Sequence, residues 1–140
     1  MVRKQGEACR WDGVEVYPYK ENGTHFKSIT RQTLFPGEGD LPVELRYFEI
    51  GPNGHSTCER HVHTHLVMVI KGGGTAMVGD TVTEIGDKDI VRVPEHTWHQ
   101  FRAGDDGLGF LCIVAVERDR PTRPESLDQL PESVRDHARL

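Results

Sequence analysis

Three histidines alternate with other residues in His61–Val62–His63–Thr64–His65, directly before the apolar run Leu66–Ile70. Strand alternation places all three imidazoles on one face, and Glu59 shares their phase. Burying three imidazoles beside an apolar run is unfavourable unless something binds them, and neutral imidazole is a common ligand of transition metals. The spacing therefore predicts a metal site on this segment.

A fourth histidine, His99, lies on another predicted strand. The residues leave the ligand set open between His61, His63, His65 and His99 together, and a set in which Glu59 replaces one histidine. In a flat strand, residues two apart lie roughly 7 Å apart and residues four apart roughly 13 Å, so the outer imidazoles can share an ion only if the chain curves or bulges between them.

Other side chains near these positions are weaker candidates for the metal shell. Gln32 is sterically possible, whereas alternation points Gln100 away from the face that carries His99. His96 is expected in a turn or at the rim of a pocket. Alternation in Glu44–Phe48 puts either Arg46 or Tyr47 inside, and an inward Arg46 could hold an anionic oxygen of a substrate. The alternative is a surface arginine.

The imidazole set indicates the type of metal. Four neutral nitrogen ligands suit zinc, copper, nickel or iron better than magnesium or calcium. Because no ligand anion offsets the metal charge, a bound water would be unusually acidic and could act as a base. We expect one divalent transition metal, with zinc preferred and iron, nickel or copper as alternatives.

Short segments rich in valine, isoleucine and phenylalanine must position these histidines. They are separated by turn-like stretches rich in Gly, Pro, Asp or Asn, a pattern typical of an all-β sandwich or barrel. The predicted strands are Ser28–Phe35, Val43–Ile50, His61–Ile70, Thr75–Val78, Thr81–Ile85, Ile90–Val93, Trp98–Ala103 and Leu108–Val116. Eight strands of this length match a jelly roll.

The two ends of the chain differ from this central part. Residues 1–27 are expected to form an arm or an edge strand, residues 28–116 the barrel, and residues 117–140 a polar tail or a short helix that begins near Pro131. Aromatic and sulfur side chains could line an apolar pocket or form ordinary core; they are Phe48, Met68, Trp98, Phe101 and Phe110.

Composition narrows the function classes. The 140 residues carry a formal net charge of −5 and no run of basic residues, which argues against a nucleic-acid partner. No apolar stretch has the length of a membrane span, and the first residues lack an apolar signal core. Three widely spaced cysteines fit a reducing compartment better than a disulfide framework. We expect a cytoplasmic, single-domain protein with no membrane partner.

The motifs resemble those of the cupin family. Gly54, the segment Glu59–His65 and the segment Val69–Gly72 look like the first cupin motif, while Gly86–Asp87, Pro94 and His99 resemble the second. The resemblance covers roughly residues 43–116. It implies a jelly-roll β-barrel with one divalent metal inside, and it implies a homodimer.

Phrases outside the motifs resemble the small cupin-type cyclases of bacterial aromatic polyketide biosynthesis. They are VEVYPYKENGTHFKSITRQTLF ahead of the barrel and the tail LGFLCIVAVERDRPTRP, which starts in the last predicted strand. The resemblance implies aldol cyclisation of a poly-β-ketone substrate in antibiotic biosynthesis. Two other classes stay open: a cupin dioxygenase or isomerase that acts on a small diketone or phenol, and a non-enzymatic module that senses a metal or a ligand.

Overall fold

The computed structural model describes residues 1–20 and 23–140. Within these ranges the chain forms seven antiparallel strands, and the predicted all-β class is confirmed. They are β1 (Tyr17–Pro18), β2 (Lys27–Phe35), β3 (Val43–His55), β4 (His65–Val78), β5 (Thr81–Ile85), β6 (Ile90–Val93) and β7 (His99–Ala115). The strand order is β1-β2-β3-β7-β4-β5, with β6 paired to β4. Short 3₁₀ turns occur at Glu7–Cys9, Leu127–Gln129 and Glu132–Val134. No helix in the described ranges has the length and apolar character needed to cross a membrane.

Long strands replace several of the shorter ones that the sequence predicted. The glycine-rich stretch 71–74 lies inside β4, where Gly72 has a φ of +65° and the register with β7 shifts on both sides of Lys71–Gly72. The stretch around Gly107, at a φ of +81°, likewise lies inside β7. These glycines form bulges rather than turns, because a bulge bends and twists a strand without ending its pairing. The bent strands curl the sheet around its core.

The inner face of the sheet is apolar at one end and polar at the other. Val67 and Val69 of β4 pack against Phe110 of β7 and Phe48 of β3, and all four side chains are buried. His65 precedes Val67 on the same face of β4, and His99 opens β7. The strands therefore bring the histidines to the open end of the barrel, above the apolar core.

The C-terminal residues pack on the outside of the barrel. Leu130, Val134 and Ala138 are buried against Met77 and Trp98 in a second apolar cluster. The amide of Gln100 holds the end of the chain, since its Nε2 donates to the carbonyl oxygen of Arg139 at 2.7 Å and its Oε1 accepts from the Arg139 N–H at 2.9 Å. The strand that begins with His99 is thus fixed from its outer face.

The close contact of β4 with β7 depends on Gly74. A Cβ at this position would overlap the carbonyl oxygen of Arg102 on β7, whereas a Cβ at Gly86 would meet no atom within 4 Å. We expect Gly74→Ala to lower the free energy of unfolding by about 1–3 kcal/mol because the two backbones must separate. Gly86→Ala is the matched control and should leave it unchanged. Equal urea midpoints for the two variants would contradict this packing.

Candidate metal centre

His61 and His63 lie in a bend, not in a strand. The prediction that a strand begins at His61 is wrong, because β4 begins at His65 and residues 61–64 turn away from it. The bend stacks rings that a flat strand would hold apart. The ring centroid of His61 lies 3.8 Å from that of His63 and 4.2 Å from that of His65. The centroid of His99 lies 4.8 Å from that of His61. The curvature that shared binding requires is therefore present.

Distant parts of the chain fix this bend. The carboxylate of Asp119 accepts hydrogen bonds from the backbone N–H of Val62 at 3.0 Å and of His63 at 3.3 Å. The N–H of His96 donates to the carbonyl oxygen of His61 at 2.7 Å. Glu59 and His99 exchange two backbone hydrogen bonds, of 3.1 and 2.9 Å. The bend is thereby held against both the start of β7 and the C-terminal segment.

The Nδ1 atom of each histidine in the cluster has a partner outside the cluster centre. His61 Nδ1 donates to the carbonyl oxygen of His63 at 2.6 Å, and His99 Nδ1 donates to that of Thr97 at 3.0 Å. His63 Nδ1 lies 2.7 Å from a carboxylate oxygen of Asp119. His65 Nδ1 lies 3.6 Å from Cys112 Sγ. Because a carbonyl or carboxylate can only accept, it places the proton on Nδ1 and leaves Nε2 with a lone pair.

The free ring nitrogens converge on one point. One ligand atom each from His61, His65 and His99 lies within 4.8 Å of the others. His63 Nε2 lies 3.1 Å from His65 Nε2. His61 Nε2 is buried and has no hydrogen-bond partner among the described residues. A buried nitrogen lone pair without a donor fits a metal ion at this point, and an imidazole set suits a divalent transition metal. His63 stays a predicted fourth ligand.

Burial keeps these imidazoles neutral. Desolvation, aided by the neighbouring His99 and His63, lowers the pKa of His61 to about 4. Desolvation also lowers the pKa of His99 to about 4 and moves that of His65 far below its usual range. Hydrogen bonds from the backbone N–H of Val62 and from His63 hold the pKa of Asp119 well below its usual range. His61, His65 and His99 therefore present neutral ligands at neutral pH, as metal binding requires.

The cluster opens into a cavity of about 230 Å³ with mixed walls. The lining side chains include His63, His65 and His99, the aromatic residues Tyr19, Phe48, Phe101 and Phe110, the cationic residues Lys20, Arg31, Arg46 and Arg118, and the acidic residues Glu59 and Asp119. A small molecule in this cavity would thus contact the histidine cluster, an aromatic wall and several positive charges at once.

Glu59 lies in the wall of this cavity. Its side chain is buried, and its Oε2 lies 3.0 Å from Lys20 Nζ, which also donates to Thr57 Oγ1 at 3.2 Å. In this arrangement the carboxylate is engaged by an ammonium group. The alternative that Glu59 replaces a histidine stays a prediction.

The weaker candidates lie elsewhere. Gln32 donates to the carbonyl oxygen of Cys9 at 2.9 Å, on the opposite face of β2 from the cavity, and Gln100 binds the C-terminus. His96 is exposed in a turn at a φ of +57°. Of the aromatic and sulfur residues considered for a pocket, Trp98 packs under the C-terminal segment and Met68 is 38% exposed on the outer face.

Sequence reasoning missed Asp119 and Lys20. Asp119 lies in a segment whose charged composition predicts a polar tail, and its partner His63 is 56 residues away in the chain. Lys20 lies in the N-terminal segment, and 39 residues separate it from Glu59. No local periodicity reports such pairs, because they depend on how the ends of the chain fold over the barrel.

Removal of one inner histidine should abolish metal binding. We expect the purified, untagged protein to contain about one divalent metal ion per chain, and His99→Ala or His61→Ala to contain almost none. His96→Ala is the matched control, because its side chain is exposed, and it should keep the wild-type content. Elemental analysis measures all four proteins. Equal metal content in wild type and His99→Ala would contradict the site.

The metal-free protein should lose stability in mild acid. In the unfolded protein, imidazoles have a pKa of about 6.5, whereas in the folded protein the pKa of His61 and that of His99 are each about 4. Between these values the unfolded state binds more protons than the folded state. The free energy of unfolding therefore falls as the pH is lowered from about 6.5 toward 4, and it has its full value above that window. Urea unfolding of the chelator-treated protein across this range measures the slope. His99→Gln should flatten it and the control His96→Gln should not; an unchanged slope in His99→Gln would refute this origin.

Comparisons with known proteins agree with this geometry. The family model Cupin_2, described as a cupin domain, matches residues 46–114. A Rhodospirillum rubrum protein named 1-methylthio-D-xylulose 5-phosphate methylsulfurylase is 55% identical over 121 residues, which cover 85% of this chain and 77% of that protein.

Solved structures share the whole fold. A cupin 2 conserved barrel domain protein from Rhodopseudomonas palustris superposes with a TM-score of 0.92 at 44% identity and covers 100% of both chains. The polyketide cyclase RemF from Streptomyces resistomycificus has a TM-score of 0.72 at 24% identity, covering 88% of this chain and 92% of its own, and supports the fold alone. The histidine cluster, the strand order and these matches together place the chain in the cupin superfamily, to which it belongs.

Proposed function

We propose that this protein is a metal-dependent enzyme that acts on a phosphorylated ketose with a methylthio group on the carbon next to the ketone. The support is the 55% identity to the Rhodospirillum rubrum methylsulfurylase over most of both chains. The observation that carries the proposal is the cavity itself, where converging imidazoles meet aromatic and cationic side chains. Such a cavity suits a small, polar and anionic ketone.

The chemistry of such a substrate depends on its ketone. C1 carries the methylthio group and is bonded to the ketone carbon C2. If the C1–S bond breaks with its electron pair left on carbon, the ketone delocalises that pair as an enolate. A nucleophile attacks the sulfur as this bond breaks. With a small thiol as the nucleophile, an S–S bond replaces the C1–S bond, the thiol sulfur and the methylthio sulfur are each oxidised by one electron, and C1 is reduced by two electrons and takes the thiol proton to become a methyl group.

Different residues of this chain would bind the metal, transfer a proton and donate hydrogen bonds to the substrate. A bound divalent metal supplies Lewis-acid polarisation of a ketone oxygen. His61, His65 and His99 would hold the metal. We propose His63 as the fourth ligand and zinc as the metal. Lys20, fixed by Glu59 and Thr57, lines the cavity and would relay the thiol proton to the enolate carbon. Burial raises the pKa of Tyr19 far above its usual range, so its hydroxyl stays a donor.

A polyketide cyclase is the second candidate. The aromatic wall formed by Tyr19, Phe48, Phe101 and Phe110 favours it, because such rings would contact a folded poly-β-ketone chain. Arg31 and Arg46 of the same cavity favour the sugar phosphate, since neither forms a salt bridge within residues 1–20 and 23–140 and a neutral chain gives them no counter-charge. The two candidates differ in substrate charge and are separated by one assay.

Turnover of 1-methylthio-D-xylulose 5-phosphate tests the proposal. The metal-loaded protein with a small thiol should convert the methylthio signal of the substrate to that of a mixed disulfide, followed by ¹H NMR. His99→Ala should lose about 100-fold or more of this activity, because each ligand supports the whole centre, and His96→Ala should keep it. Absence of turnover by the metal-loaded wild type, with cyclisation of a poly-β-ketone instead, would favour the cyclase.

A further inference from the structure

Two arginines on neighbouring strands face the cavity. Arg46 lies on β3 and is 8% exposed, and Arg31 lies on β2 and is half-buried. In the β2–β3 register Arg31 pairs with Phe48 and Arg46 pairs with Thr33. The two arginines are therefore diagonal neighbours on one face, with Cβ atoms about 7–8 Å apart, and both line the cavity.

Neither guanidinium has an anionic partner in residues 1–20 and 23–140. The Nε atoms of Arg31 and Arg46 are both buried and lack a hydrogen-bond partner within those residues. The polar contact of Arg46 is weak, with Nη2 3.6 Å from Cys112 Sγ, and its guanidinium carbon lies 4.9 Å from the ring centre of Phe48. A guanidinium with a buried Nε and no counter-ion is unfavourable, so these two groups are suited to an anion that enters the cavity.

The other cationic side chains of the cavity already have partners. Lys20 Nζ lies 3.0 Å from Glu59 Oε2, and Arg118 Nη1 lies 2.7 Å from Glu44 Oε2. Each of these charges is neutralised by a carboxylate of the protein itself. The positive charge left for a ligand is therefore that of Arg31 and Arg46.

The arginine pair lies next to the metal centre. Cys112 Sγ contacts Arg46 Nη2 and His65 Nδ1, each at 3.6 Å. One small molecule can thus reach Arg46 with its anionic end while its other end faces the imidazole nitrogens. This separation suits a short carbon chain with a ketone at one end and an anionic group at the other.

We infer that Arg31 and Arg46 form the subsite for the phosphate monoester of the substrate. This rests on the proposed function, which supplies the phosphorylated ketose. Two guanidinium forks present paired N–H groups in the geometry that phosphate oxygens accept, and such charge-assisted contacts are among the stronger hydrogen bonds in proteins. The pair would therefore select phosphorylated ketoses and orient the ketone toward the histidines.

Binding of an unreactive analogue tests the subsite without turnover. Isothermal titration calorimetry on the full-length, metal-loaded protein compares D-xylulose 5-phosphate with D-xylulose, neither of which carries a methylthio group. We expect Arg46→Gln and Arg31→Gln each to weaken binding of the phosphate ester about 10- to 100-fold and to leave binding of D-xylulose unchanged. Arg92→Gln is the matched control, because Arg92 is exposed on β6, and it should behave as wild type.

Arg46→Lys keeps a positive charge at this buried position, so it separates loss of the subsite from misfolding of Arg46→Gln. A correctly folded Arg46→Lys protein, checked by its thermal unfolding midpoint, should bind the phosphate ester with intermediate affinity. Wild-type preference for the phosphate ester in both Arg31→Gln and Arg46→Lys would overturn the subsite. Arginine-dependent binding without turnover of the methylthio ketose would overturn the proposed function and leave the subsite standing.

Discussion

The structure depends on one constraint, the meeting of buried imidazole nitrogens that carry lone pairs. His61 and His99 donate their Nδ1 hydrogens to backbone carbonyl oxygens, and the Nδ1 of His63 contacts the carboxylate of Asp119. Their Nε2 atoms are left without a hydrogen, and one ring nitrogen each of His61, His65 and His99 lies within 4.8 Å of the others, which is unfavourable unless a cation lies between them. The barrel closes around this point because β4 and β7 start there, and the bend at residues 61–64 and the C-terminal segment are both tied to it.

The surroundings of the cluster support the proposed ketone substrate. The cavity places the neutral imidazoles beside an ammonium group that is paired with Glu59, and beside two arginines without such a pair. Neutral nitrogen ligands leave the charge of a metal available to polarise an oxygen, and the arginines add a second point of attachment for an anion. Two attachment points fix the direction of a small substrate, which a metal alone would not do.

Much of this could be predicted from the sequence, because it depends on local patterns. The all-β class followed from the short apolar segments between turn-like stretches, and the grouping of His61, His65 and His99 followed from the spacing of histidines beside an apolar run. The start of β4 was predicted four residues too early, since the bend at His61 is stabilised by Asp119 near the other end of the chain. Glycines that suggested turns form bulges, because their neighbours on β7 allow pairing to continue. Alternation left open whether Arg46 or Tyr47 is inside, and both are buried because the N-terminal segment covers the outer face, with Trp11 5.2 Å from Tyr47.

The central claim is that Nε2 atoms of this histidine cluster ligate one metal ion. X-ray absorption spectroscopy at the edge of the metal that co-purifies with the protein tests it most directly. We expect a first shell of nitrogen at about 2.0–2.1 Å, if the metal is zinc, with the outer-shell scattering of at least three imidazole rings. A shell dominated by sulfur or by oxygen without imidazole scattering would contradict the account.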